Sequence, residues 1–163
     1  AHIDHTGLLP KLIKAGFKGK VYSTAPTRGF SELLLLDSEH ILMQEAEHQK
    51  KPMIYGVREI EELMSRWDVV EYHAPVNLKN FKVTFYNAGH ILGSSFIQIE
   101  TEGKKIIFSG DLGNPPTPLL REPEKITSAN VLLIESTYGD RVHEGKKERQ
   151  LKIVRIIEDT VKN

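Results

Sequence analysis

Ala1-His2-Ile3-Asp4-His5-Thr6-Gly7-Leu8-Leu9-Pro10 opens the chain with two imidazoles and a carboxylate packed into positions 2–5. A hydrophobic core has no use for such a density of ligand groups. In an extended backbone His2 and Asp4 point to one side and His5 to the other, whereas a bent loop turns all three toward a common centre. Neutral imidazole and carboxylate are the usual non-sulfur ligands of zinc, and two neighbouring metals can share such a cluster. The alternative is a solvated loop that happens to carry these residues. Three later stretches bear on the choice.

The first is Asn87-Ala88-Gly89-His90-Ile91-Leu92-Gly93-Ser94-Ser95, a histidine framed by glycines at the end of a predicted strand. Glycine lets backbone approach closely and take conformations other residues avoid, as ligand-bearing loops require; an ordinary loop histidine is the competing reading. The second is Phe108-Ser109-Gly110-Asp111-Leu112-Gly113, a strand ending in a carboxylate that can bridge two metals, although Gly-Asp is also common turn chemistry. The third runs from Leu133 to His143, where Glu135 directly follows an apolar strand and must be hydrogen-bonded or paired if buried. It reads equally as a charge meeting solvent at a strand edge, or as a partner of Arg141.

Composition narrows the field. The 163 residues make one domain of normal size, able to bury roughly two thirds of its unfolded surface. Lys plus Arg and Asp plus Glu both number 22, so no global field draws the chain to nucleic acid or to an anionic membrane. Cysteine is absent, which excludes disulfides, a thiolate nucleophile and sulfur ligation, so any metal is held by nitrogen and oxygen. No apolar run approaches the roughly 20 residues that span a bilayer. With no leader in view, the expectation is a soluble, intracellular, cytoplasmic protein. Opening on Ala inside its densest ligand stretch, the chain is expected to be a fragment.

Periodicity predicts a short helix from Thr6 to Ala15, a strand over Lys20–Thr24, and a long helix from Thr27 to about Lys50 with Phe30, Leu33, Leu34, Leu36, Ile41 and Leu42 as its apolar positions. A third helix over Val57–Trp67 and a strand over Val69–Tyr72 follow. Beyond Pro75 the period changes to two, giving a β-meander through Phe81–Tyr86, Phe96–Ile99 and Lys105–Phe108. Val131–Ile134 reads as a buried strand, and the chain returns to helix from His143 or Glu144 to Val161. Helices and strands in this order specify a mixed α/β or α+β fold.

Taken together, these stretches resemble the metallo-β-lactamase superfamily, and within it the β-CASP branch of RNA- and DNA-processing nucleases. His2, Asp4 and His5 match the second His, the Asp and the last His of the motif His-x-His-x-Asp-His. Ala1 then falls between the first two histidines. Ala-Gly-His-Ile-Leu-Gly-Ser with His90 looks like the next metal motif, and Ser-Gly-Asp-Leu-Gly with Asp111 like the bridging aspartate. Glu-Ser-Thr-Tyr-Gly-Asp-Arg with Glu135 is similar to the acidic motif where the β-CASP insertion begins, in the branch related to the cleavage and polyadenylation endonuclease subunit.

The resemblance implies an αββα sandwich, incomplete at its N-terminus, with residues 1–140 as the metal-bearing core and 141–163 as a helix leading into an insertion that is mostly absent. It implies two zinc ions. His2 and His90 would serve one, Asp4 and His5 the other, and Asp111 would bridge them. A shared hydroxide would attack a phosphodiester, Asp4 would help orient it, and Glu135 would pair with a histidine near the leaving group. Tyr138, Arg141 and His143 would lie by the substrate cleft. The implied function is zinc-dependent hydrolysis of RNA, of the mRNA 3′-end-processing or RNA-degrading type. With one sheet short of strands, weak metal occupancy and self-association through exposed sheet edges are expected. Two alternatives use the same residues: a non-catalytic scaffold, and a glyoxalase-type hydrolase of small molecules.

Overall fold

The computed structural model describes residues 1–142 and 145–162. The N-terminal part, up to Val69, is helical around a parallel strand pair. Helices α1 (Ile3–Thr6) and α2 (Leu9–Lys14) precede strand β1 (Val21–Ser23), helices α3 (Ala25–Gln49) and α4 (Val57–Ser65) follow, and β2 (Trp67–Val69) pairs parallel with β1. The helix expected over Thr6–Ala15 is α2, starting later at Leu9, with the separate turn α1 before it, and Trp67 begins a strand instead of ending a helix.

Local chemistry sets these boundaries. Pro26 sits in the first turn of α3, where its missing N–H has no intrahelical partner to lose. The helix ends at Lys50, left-handed at φ 51°, just ahead of Pro52. At the start of α4 the Gly56 N–H donates to the Glu59 carboxylate at 2.8 Å. Ile60, Leu63 and Met64, at i, i+3 and i+4, then point inward and are buried.

The core gathers Ile13, Leu35, Tyr55, Ile60, Leu63, Met64 and Trp67 from α2, α3, the loop before α4, α4 and β2. Each fully buried aliphatic side chain contributes about 1.5–3 kcal/mol. The Trp67 indole N–H donates to Ser23 Oγ at 2.8 Å, so the polar end of this large side chain is satisfied across the strand pair. In α3 the buried leucine is Leu35, whereas Phe30, Leu33, Leu34, Leu36 and Ile41 are exposed. A run of four leucines covers a whole helical turn, and its phase is set by what packs against it.

The second sheet has the order β3-β4-β5-β6-β7, made of β3 (Val76–Leu78), β4 (Phe81–Asn87), β5 (Ser95–Thr101), β6 (Lys104–Phe108) and β7 (Val131–Leu133). The first four form the antiparallel meander, and β7 joins β6 in parallel. Phe85, Phe96 and Ile107 are buried, and Tyr86 stacks on its cross-strand partner Phe96 with centroids 5.1 Å apart. The apolar run Val131–Ile134, expected to be buried, is an edge strand with side chains 45–59% exposed. It pairs only with β6, and no described residue covers its other side.

Helix α5 (Lys146–Lys162) follows the five-stranded sheet, and its apolar Leu151, Ile153, Val154, Ile156 and Ile157 remain about half exposed. The fold is therefore mixed α/β, as the order of elements predicts. Among the described residues no helix is long and apolar enough to cross a membrane.

Candidate metal centre

Sheet topology decides where the candidate ligands meet. β4 and β6 both run antiparallel to β5 and so point the same way, and β7 runs parallel to β6. The loops leaving β4 with His90, β6 with Asp111 and β7 with Glu135 therefore open at one end of the sheet. The first helical turn brings His2 and His5 over that end.

All three imidazoles converge on one carboxylate oxygen. Asp111 Oδ2 lies 3.2 Å from His5 Nε2, 3.4 Å from His2 Nδ1 and 3.6 Å from His90 Nε2. His90 Nε2 and His2 Nδ1 are 3.4 Å apart, their rings meeting edge to face, and Asp4 Oδ2 is 3.5 Å from His5 Nε2. These separations are long for hydrogen bonds. They match the spacing of ligand atoms on a tetrahedral ion, roughly 3.3–3.4 Å for bonds of 2.0–2.1 Å. His2, His90 and Asp111 by themselves offer a compact group able to hold a metal. Partial burial pushes the Asp111 carboxyl up, but the imidazoles of His5, His2 and His90 outweigh it, and the group stays below the ordinary carboxylate range. His2, His90 and Asp111 offer two nitrogens and a carboxylate, free of sulfur and close together, and they fit a divalent ion.

The loops that carry these ligands are built on polar groups the sequence reading did not single out. Ser94 Oγ accepts the N–H groups of His90 (3.0 Å) and Ile91 (3.1 Å), and Asn87 Oδ1 accepts that of Gly89 (2.9 Å). Thr24 and Thr27 hydroxyls both donate to the Gly93 carbonyl, tying the start of α3 to this loop. Gly89 is left-handed at φ +64°, and a Cβ there would come 2.6 Å from the Pro123 nitrogen. The only local signals were an Asn two residues before a Gly and a Ser directly after one.

Glu135 does not pair with Arg141, whose guanidinium binds its neighbour Asp140 at 3.0 Å. The Glu135 carboxylate instead accepts the N–H of Leu112, the residue after Asp111. Tyr138 sits at φ +59°, with the Arg141 guanidinium 5.7 Å from its ring centre. A cleft of about 330 Å³ runs inward from the ligands between the two sheets, past Tyr22, Trp67 and Phe85. A second, shallower one reaches from His5 and Asp111 to Glu135. Tyr138 and Arg141 line neither of these two clefts. His143, the third expected substrate residue, lies outside the described residues.

Residues 2–116 match the sequence profile of the metallo-β-lactamase superfamily domain. The ribonuclease TTHA0252 of Thermus thermophilus is 34% identical over 161 residues, which take in 99% of this chain and 36% of that protein. The RNase aCSPSF2 of Saccharolobus solfataricus is 37% identical over 150 residues, 91% of this chain and 29% of the relative. Endoribonuclease YSH1 of Saccharomyces cerevisiae is 30% identical over 166 residues, 98% of this chain and 21% of the relative. The chain thus spans between 21% and 36% of the length of these curated relatives.

Proposed function

This chain belongs to the metallo-β-lactamase superfamily, and from that premise we propose that it is the metal-bearing core of a zinc-dependent ribonuclease of the β-CASP type. The observation that carries the reading is the single Asp111 oxygen within 3.2–3.6 Å of three imidazoles. The ribonuclease names of the relatives and the motif Glu135-Ser136-Thr137-Tyr138-Gly139-Asp140-Arg141 support RNA as the substrate.

In this reading His2 and His90 would hold one zinc, Asp4 and His5 would hold a second, and Asp111 would serve both. Bound zinc supplies Lewis acidity and lowers the pKa of a coordinated water so that it can attack phosphorus. Asp4, whose side chain is 75% exposed and beside His5, would help orient the attacking water. Tyr138 and Arg141 lie beyond β7 with the guanidinium 5.7 Å from the ring centre, and they would contact a nucleotide through the ring and through the guanidinium once Asp140 releases it. Residues 1–140 form the metal domain, and α5 leads away from it. The half-exposed edge β7 supports self-association, which sedimentation over a range of concentrations would detect.

The test is cleavage of end-labelled single-stranded RNA with added zinc. Cleavage abolished by EDTA and by Asp111→Ala supports the proposal; cleavage that survives EDTA overturns it. Zinc bound without cleavage would make this chain a non-catalytic metal scaffold.

A further inference from the structure

Both flanks of Asp111 are held by the end of β7. The Ser109 N–H donates to the Leu133 carbonyl at 2.9 Å, and the Ser109 hydroxyl donates to the Gly110 carbonyl at 2.7 Å while accepting the Glu135 N–H at 2.9 Å. On the far side of Asp111 the Leu112 N–H donates to Glu135 Oε1. Residues 109 and 112 are thus fastened to 133–135, and Asp111 lies at the bend between them. Ser109 is 2% exposed, so the inner half of this clamp is sealed from water.

We propose that Glu135 is a positioning residue for the metal centre: by accepting the Leu112 amide it holds the Asp111 carboxylate at the distance from His2, His5 and His90 that a shared metal requires. The inference rests on the metal reading above and assigns Glu135 a role that does not involve the leaving group. An amide donating to an ionised carboxylate makes a stronger bond than one donating to a neutral acceptor. A ligand loop released from this clamp would let Asp111 Oδ2 drift from the three imidazoles. Outer groups that orient ligands in this way commonly change metal affinity by about 10–100-fold.

The experiment compares Glu135→Ala and Glu135→Gln with the parent chain. Zinc affinity is read by competition with a chromophoric chelator, site geometry by the visible spectrum of the cobalt-substituted protein, and the clamp by hydrogen exchange at the Leu112 amide. Glu135→Ala is expected to weaken zinc binding by about 10–100-fold, alter the cobalt spectrum and expose the Leu112 amide. Glu135→Gln keeps an acceptor oxygen and is expected to retain the parent spectrum with a loss well under ~10-fold. A Glu135→Ala chain that matches the parent in affinity and spectrum overturns the proposal, as does a Glu135→Gln chain as impaired as Glu135→Ala. If Glu135→Ala fails to fold, Glu135→Asp, whose carboxylate is one methylene shorter and falls short of the Leu112 amide, takes its place, with the same expected direction and the same overturning result. If the parent chain binds no zinc, the metal reading falls, and the exchange arm still decides: protection lost in Glu135→Ala and kept in Glu135→Gln supports the clamp, and equal exchange overturns it.

Discussion

Gly113 lies so close to Gly89 that a Cβ on Gly113 would come 1.9 Å from the Gly89 carbonyl oxygen. The Gly113 N–H also donates to the Ala88 carbonyl at 2.8 Å. The loop carrying Asp111 is therefore pressed directly against the loop carrying His90, backbone to backbone, by a contact that admits no side chain. Gly113→Ala is expected to force the loops apart, destabilising the fold by roughly 2 kcal/mol or more and lowering zinc content. Thermal unfolding together with metal analysis checks both.

The shared carboxylate and one imidazole should separate in their effects on metal content. Asp111→Asn keeps the shape of the side chain but removes the charge that faces His2, His5 and His90. It is expected to empty the whole centre. His90→Ala removes a ligand from one side of Asp111 only, and zinc per chain should fall by about half. Equal zinc in both variants and in the parent chain would contradict this division of the site.

Ser94 is 8% exposed, and its hydroxyl oxygen receives two backbone N–H groups on either side of the His90 Cα. Ser94→Ala leaves both without an acceptor in a confined loop. A loss of about 1–3 kcal/mol in unfolding free energy is expected, measured by urea denaturation of the metal-free protein.

The phase of α3 is open to a paired test. Leu35 is fully buried in the helical core, and Leu33, two positions earlier, is 68% exposed. Leu35→Ala should cost about 2–5 kcal/mol through the cavity it leaves, whereas Leu33→Ala should stay within about 0.5 kcal/mol of the parent. Equal effects would show that the helix packs with a different face inward.

Burial, aided by the carboxylate of Glu39, pushes the Tyr55 phenol above its ordinary value of about 10. The unfolded chain then loses this proton before the folded one does. Its contribution to stability is complete below the unfolded pKa and is lost as pH rises from about 10 through the folded value. Tyr55→Phe is expected to keep the neutral-pH melting temperature close to that of the parent and to flatten its fall at alkaline pH. Parallel alkaline curves for the two proteins would count against it.

The gathering of His2, His5 and His90 at Asp111 was expected from the sequence because imidazoles and carboxylates crowded at one end, or framed by glycines at strand ends, are local features of a chain. The period-two meander and the i, i+3, i+4 face of α4 were legible for the same reason, since a regular backbone writes its burial into a short window. Long-range partners leave no such mark. The burial of Leu35 in place of its neighbours, the exposure of Val131–Leu133 at a sheet edge, and the capture of the Leu112 amide by Glu135 depend on which elements pack together. The convergence on Asp111 depends on them most of all. It follows from β4, β6 and β7 pointing the same way and from Gly113 lying flat on Gly89, contacts between residues far apart in the chain that only the folded backbone brings together.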